Sequence, residues 1–236
     1  MKKLTLLSLA VIGTSLVACG KESDFKKAIN AHISQRPECL RIYSDSISSS
    51  RVNRDAAAKL EEETKGKFVV SQQFDSTGKD TSYSNPKTLS QLNALVAVGL
   101  LSKSTESLPT QDWDKKPDGG YYTYTIYTLT DAGKATAAKV ETNGLAKSMF
   151  GDSGNRIFCY ATPEVVKIEN YTEGSYGGMD VVRVKYSYKY TNVADWANNA
   201  DVKAAFPEIS KNLDNPDKTN DNDLIKTKNG WSTDLD

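Results

Sequence analysis

Between Met179 and Thr191, the side chains of Val182, Val184, Tyr186, Tyr188 and Tyr190 alternate with those of Arg183, Lys185, Ser187 and Lys189. Successive side chains of a strand point to opposite faces, so this run predicts a long strand with one apolar and one wet face. Glu164 to Thr172 reads as a second long strand, joined to the first by the polar linker Glu173-Gly174-Ser175-Tyr176-Gly177-Gly178. A sheet exposed on one side must have something packed on the other. Nearer the N-terminus, the helical spacing of Phe25, Ala28, Ile29, His32 and Ile33 gives one buried stripe on a helix from about Asp24 to Gln35, stopped by Pro37.

Between these parts the chain changes character. Arg51 to Thr64 predicts a helix ended by Gly66, and Phe68 to Phe74 a short strand. Asn85-Pro86 opens a helix whose face is Leu89, Leu92, Leu95, Val96 and Leu100, with Gly99 as its C-cap. Ser102 to Pro109 then leads into a polar loop, Gln111 to Gly120. Tyr121 to Leu129 is a tyrosine- and threonine-rich strand, and a helix capped by Thr130 or Asp131 runs from Ala132 to about Thr142. Further on, Asp195 to Leu213 reads as helical with a break at Pro207. Asp214 to Asp223 reads as a polar loop, and Leu224 to Trp231 as a closing segment with a turn at Asn229-Gly230.

The N-terminus carries a different kind of signal. Met1-Lys2-Lys3 precedes an apolar run from Leu4 to Val17 and the sequence Leu16-Val17-Ala18-Cys19. A membrane-spanning helix needs roughly 20 apolar residues; this run is shorter and broken by Thr5, Ser8, Gly13, Thr14 and Ser15. The segment resembles a bacterial lipoprotein signal ending in a lipobox. The resemblance implies cleavage before Cys19, acylation of Cys19 (palmitate included) and attachment to a membrane through those chains, each buried methylene contributing about 0.8 kcal/mol. Gly20, rather than aspartate, follows the cysteine, and by the same resemblance this directs the protein to the outer membrane, facing the periplasm. Without residues 1–18, which hold two lysines and no acid, the 30 basic and 30 acidic residues become 28 and 30, a net charge near −2. That balance implies no polyanionic partner. With Cys19 acylated, Cys39 and Cys159 remain as an even pair in an oxidising compartment, which reads as a disulfide; two buried free thiols are the alternative. A bond between them closes a loop of about 120 residues and stabilises the fold by roughly 4–5 kcal/mol.

A second resemblance lies in mid-chain. Leu95-Val96-Ala97-Val98-Gly99-Leu100-Leu101, followed by Tyr127-Thr128-Leu129-Thr130-Asp131-Ala132-Gly133-Lys134-Ala135, looks like a winged helix with its wing hairpin and Leu-Thr-x-x-Gly turn. The resemblance implies a fold and no activity. Residues 84–142 balance Lys87, Lys103, Lys115, Lys116, Lys134 and Lys139 against Glu106, Asp112, Asp114, Asp118, Asp131 and Glu141. A DNA reader needs an excess of cations on one face, and an exported protein does not meet the chromosome. Nucleic acid is therefore not the expected partner.

Catalytic chemistry finds no anchor in the sequence. His32 is the only histidine and sits on or beside an apolar stripe, which defines neither a triad nor a metal cage. Asp214, Asp217, Asp221 and Asp223 are oxygen-rich, but no glycine or glutamate falls where a calcium-binding EF-hand loop needs one. No Gly-x-Ser-x-Gly elbow or phosphate-cradling Gly-Lys-Ser/Thr loop occurs, no spacing singles out a carboxylate pair, and nothing prefers Lys147 or Lys185 as a base. No catalytic residue, metal or cofactor is assigned. The tyrosines are the remaining handle. Tyr121 and Tyr127 share one face of their strand and Tyr122 and Tyr124 the other, so an exposed Tyr121–Tyr127 pair is the candidate binding feature.

The expected architecture is α+β: a lipoprotein signal at 1–18, a tether at 19–24, a mainly helical module at 25–150 with a winged-helix-like part at 84–143, and an antiparallel sheet with helix at 156–236. A specific version lays the Phe25–Gln35 helix across the twisted C-terminal sheet, as in cystatin-like or nuclear-transport-factor-2-like folds. The middle module is then an insertion, stapled at its entry and exit by Cys39–Cys159. In layout the chain resembles Gram-negative envelope lipoproteins, a resemblance that supplies no activity. The expected role is a non-catalytic one, binding an envelope protein, with a small-ligand carrier as alternative and an envelope hydrolase behind both.

Overall fold

The computed structural model describes residues 15–47, 50–82, 86–112, 114–139, 156–215 and 218–233. It is α+β, with helices and antiparallel sheets. The chain forms two compact units that interleave in sequence: Met1–Arg36, Thr162–Thr191 and Pro216–Asp236 make the first, Pro37–Ala161 and Asn192–Asn215 the second. This corrects the contiguous division at 150–156. The N-terminal helix goes with the C-terminal sheet, and residues 192–215 return to the middle unit.

The first unit is a helix on an antiparallel meander. Helix α1 spans Ser15–Ile33. Gly20–Ser23, expected as a tether, lies inside it, because extending an existing helix adds one hydrogen bond per residue fixed. The sheet is built from strands β6 (Arg156–Tyr176), β7 (Met179–Thr191), β8 (Lys218–Thr227) and β9 (Gly230–Ser232), each paired with the next. The face predicted for β7 is the buried one: Val182, Val184 and Tyr186 pack with Val165, Ile168 and Leu224 around Phe25 and Ile29 of α1. Phe25 also meets Tyr171 and Trp231 edge-on, at 5.1 and 5.3 Å. Both Phe25 and Ile29 are fully buried, each contributing roughly 1.5–3 kcal/mol. Polar residues of α1 serve the bulged stretch of β6: Asn30 Oδ1 accepts from the Val165 N–H (2.8 Å), and Lys26 Nζ donates to the Val166 carbonyl (3.2 Å).

Strand β8 corrects the sequence reading at Asp214–Asp223. Asn and Asp have poor strand propensity, but from Lys218 onward this stretch pairs in register with β7, Asn220 opposite Tyr186 and Asp223 opposite Arg183. Its polar side chains are placed rather than wasted. Arg183 grips Asp223 through two hydrogen bonds of 2.7 and 2.8 Å, and the Tyr186 hydroxyl donates to Asn222 Oδ1 at 2.8 Å.

The second unit holds a three-stranded sheet with helices on both faces. Strands β2 (Phe68–Phe74), β3 (Leu101–Gln111) and β4 (Pro117–Leu129) run antiparallel in the order β2-β4-β3. Residues 117–120, expected as loop, therefore extend β4. Helix α2 (Arg54–Glu63), capped by Asn53, puts Leu60 against Val69, Tyr124 and Ile126. Helix α3 (Pro86–Ala97) buries Leu92 and Leu95; its expected N-cap, Asn85, lies outside the described residues. Gly99 takes a left-handed φ of 75°, and the Leu100 N–H donates to the Leu95 carbonyl, closing the C-terminus. The Leu129-Thr130-x-x-Gly133 turn has a clear physical basis. Thr130 Oγ1 donates to the Gly99 carbonyl at 2.7 Å and accepts from the Gly133 N–H at 3.0 Å, while a Cβ on Gly133 would lie 2.0 Å from the Leu100 carbonyl oxygen. Helix α4 covers only Asp131–Thr136, and the chain continues as strand β5 (Ala137–Lys139), so the helix expected to reach Thr142 ends earlier.

Strand β1 (Glu38–Arg41) pairs with the first residues of β6, and β5 pairs with them as well. Cys39 sits opposite Cys159 in that register, and the two are joined as a disulfide spanning 120 residues. A 3-10 turn (Asp195–Asn198) and helices α5 (Ala200–Ala205) and α6 (Pro207–Leu213) complete the unit, with Pro207 in the first turn of α6.

Tyr124, Tyr127, Tyr160 and Tyr186 are at most 2% exposed, and burial pushes all four phenols up, that of Tyr124 to about 12. The unfolded chain releases these protons near pH 10 and the folded chain does not. Stability fully present below about pH 10 is therefore lost as the pH rises from about 10 through 12. In an alkaline titration these four phenols should ionise together with the loss of sheet circular dichroism. Complete ionisation of all tyrosines with the sheet signal intact would contradict the burial.

Candidate functional site

Tyr121 and Tyr127, expected to be an exposed pair, part company. Tyr121 is 36% exposed, and its ring stacks on Phe74 at 5.0 Å near the outer end of the sheet. Tyr127 is fully buried, its hydroxyl donating to Asn93 Oδ1 of α3 at 3.3 Å. The correction has a simple cause. Alternation tells which side chains share a face but not how far a helix covers it, and residues 124–127 are buried on both faces of β4. Tyr122 and Tyr124 pack on the α2 side, with the Tyr122 hydroxyl bonded to Gln73 Oε1 at 2.9 Å.

A concave feature of the second unit lies beside the disulfide. It is a cleft of about 390 Å³ whose lining is mixed polar and apolar. Strand β1 contributes Glu38, Cys39 and Leu40, and Tyr43 follows just beyond it. The first turns of α3 contribute Lys87, Thr88 and Gln91. Tyr160 of β6 and Glu208 and Asn212 of α6 complete the lining. Register explains the meeting of these distant residues: Cys39 opposite Cys159 brings Tyr160 beside β1, while Gln91 Nε2 donates to the Ala205 carbonyl at 3.4 Å and links α3 to α5. The Asn212 amide donates to the Tyr160 hydroxyl at 2.7 Å. Burial, then the carboxylates of Glu38 and Glu208, push the Tyr160 phenol up, partly offset by that amide. Tyr43 is 68% exposed, an aromatic side chain next to a polar trough.

This arrangement offers hydrogen-bond donors and acceptors, one cation and two carboxylates beside the Tyr160 ring. It suits recognition of a polar or amide-bearing ligand. Among the described residues no three His, Cys, Asp or Glu side chains gather closely enough to hold a metal ion. His32 lies half-buried in the last turn of α1. Trp196 packs edge-on to Phe158 and Tyr160 at 6.4 Å, and its indole N–H is buried without a hydrogen-bond partner among the described residues. Asp118 is engaged structurally: it takes hydrogen bonds from Thr110 Oγ1, the Gly120 N–H and Arg51, which hold its carboxyl below the usual range, Thr110 foremost. Lys147 and Asp217, and the side chain of Cys19, lie outside the described residues.

Sequence reasoning missed the cleft because its residues are spread from 38 to 212 and no local pattern marks them. The cysteine pair was the usable signal. It ties β1 to β6, and the cleft forms where they meet. No family model, curated protein or solved structure matches this chain.

Replacing Tyr127 and Tyr121 separately by Ala tests the corrected assignment. Tyr127→Ala should cost roughly 3–5 kcal/mol in chemical denaturation. Tyr121→Ala should cost about 1 kcal/mol or less, the worth of one exposed aromatic stack. Equal losses at both positions would contradict it.

Proposed function

We propose that this chain is a non-catalytic lipoprotein of the bacterial envelope, anchored through acyl chains on Cys19, whose second unit holds a polypeptide segment of an envelope partner in the cleft beside the disulfide. The observation that carries the reading is that cleft: open, lined by amide, hydroxyl and carboxylate groups, with the exposed ring of Tyr43 beside it. Extended polypeptide presents paired donors and acceptors that such a lining can satisfy, and an exposed tyrosine adds contact area at small rotamer cost. The Cys39–Cys159 bond supports an oxidising compartment, in keeping with the lipobox at Leu16–Cys19. No described helix is long and apolar enough to cross a membrane, so attachment on this reading falls to the lipid on Cys19. Outer-membrane residence, on the periplasmic side, follows from Gly20.

The likenesses to a winged helix at 84–143 and to cystatin-like folds in α1 and its sheet belong to this reading as fold analogies. They fit a protein-binding role in which β3, an edge strand whose residues 102–107 are exposed, is guarded against unwanted pairing by Lys103, Glu106 and Pro109. A small-ligand carrier is the second reading. The cleft volume of about 390 Å³ favours it, since small-molecule sites occupy roughly 300–1,000 Å³.

A photo-crosslinking side chain placed at Tyr43 of the lipidated protein in cells should capture one reproducible protein. Binding of that protein, once purified, should weaken about tenfold or more in Tyr43→Ala. Absence of any protein adduct, with a small molecule extractable from the purified chain, would replace the partner reading with the carrier.

A further inference from the structure

The hairpin joining β6 to β7 ends in Tyr176-Gly177-Gly178-Met179. Both glycines have positive φ, 60° and 81°, the geometry of a tight two-residue turn that matches strand twist. Strand β8 pairs with β7 only from Val181 onward, so the end of the hairpin extends beyond it as two strands with residues 172–180 all exposed. Tyr176 is 77% exposed and Met179 37%, an aromatic and a flexible apolar side chain flanking one turn.

The direction of α1 gives this tip a neighbour. Along the helix, Lys21 Nζ meets Glu173 Oε1 at 2.8 Å, Phe25 meets Tyr171 at 5.1 Å and Asn30 meets Val165 at 2.8 Å. The helix therefore starts at the tip end of the hairpin and runs away from it. Cys19 precedes Lys21 by two residues, about 3 Å of helix rise, and Tyr176 follows Glu173 by three, about 10 Å of strand. The turn between β8 and β9 is at the same end, since Ile225 pairs with Val181; it brings exposed Lys228, and Lys226 with its ammonium over the Trp231 ring at 5.1 Å.

We propose that the Tyr176–Met179 tip rests in the headgroup region of the membrane that holds the acyl chains of Cys19, giving the first unit a second contact with the bilayer. The inference rests on the lipid-anchor reading above. Tyrosine favours the interface because its ring is apolar and its hydroxyl remains wet. Met179 enters the acyl boundary, and Lys226 and Lys228 face phosphate oxygens. The acids Glu173 and Asp180 on the same hairpin, the first already paired with Lys21, make the contact one with the interface itself rather than with anionic lipid. The consequence is orientation: two points of contact hold the first unit at a set angle to the membrane, where acyl chains alone leave it free to swing.

The test uses the full lipidated protein on phosphatidylcholine vesicles. Ser175→Cys, an exposed position beside the tip, carries an environment-sensitive dye; Lys189→Cys on β7, about 30 Å away, carries it in a comparator. The expected result is blue-shifted emission from position 175, quenched several-fold more by brominated lipid than emission from position 189, and reverting in the double variant Tyr176→Ser/Met179→Ser. Water-like emission and equal quenching at both positions, in protein that sediments with the vesicles, would overturn the tip contact and leave the anchor standing. Cys19→Ala should stay in the supernatant; if it sediments like the unaltered chain, the anchor reading falls and this proposal with it.

Discussion

The Cys39–Cys159 bond is the constraint on which the rest of the structure depends. Helix α1 and the strands it covers are separated in sequence by residues 37–161, all of which belong to the other unit. Docking Ile29 and Phe25 onto Val165 and Ile168 requires closing that long segment, at an entropic cost that grows with its length. With Cys39 joined to Cys159, the path from the end of α1 to Val165 shortens to about a dozen residues. The same bond fixes β1 on β6 and so forms a wall of the cleft. One covalent link serves a core in one unit and the wall of a cleft in the other.

The two units solve the burial problem differently. In the first, one helix stripe covers one face of a meander, and the other face is wet: Arg183, Lys185 and Lys189 point to solvent while Val182, Val184 and Tyr186 are sealed. In the second, a three-stranded sheet has helix on both sides, so four consecutive residues of β4, Tyr124 to Tyr127, are buried. The outer edge of β2 is also covered: Ser44 Oγ accepts from the Val69 N–H at 2.8 Å, and the Asp45 N–H donates to the Val69 carbonyl at 2.8 Å. Edge groups satisfied by a passing loop do not recruit another strand.

What could be read from sequence was local. The alternation in β7, the bounds of β2, the glycine end of α3 and the stripe of α1 each follow from short-range sterics and periodicity, and each is present in the structure. What escaped depends on partners distant in the chain. β8 is a strand because β7 offers it an edge, against the preference of Asn220, Asp221 and Asn222. Residues 117–120 extend β4 because β3 continues alongside, Gln111 pairing with Pro117, and a Cβ on Gly120 is excluded by the Phe74 carbonyl at 2.7 Å. Tyr127 became core because α3 lies over it, a fact that periodicity on β4 does not contain. The cleft was invisible for the same reason, its walls meeting only after β1 and β6 are paired.

The central claim is that closure by the disulfide is what lets α1 seal its sheet. Segment-resolved hydrogen exchange on the folded chain, with the bond intact and then reduced, tests it most directly. The account predicts that reduction lowers protection in α1 and β7 as well as in β1, by up to about a thousandfold for the slowest amides, the equivalent of roughly 4–5 kcal/mol. Unchanged protection in α1 and β7 with the bond open would contradict it.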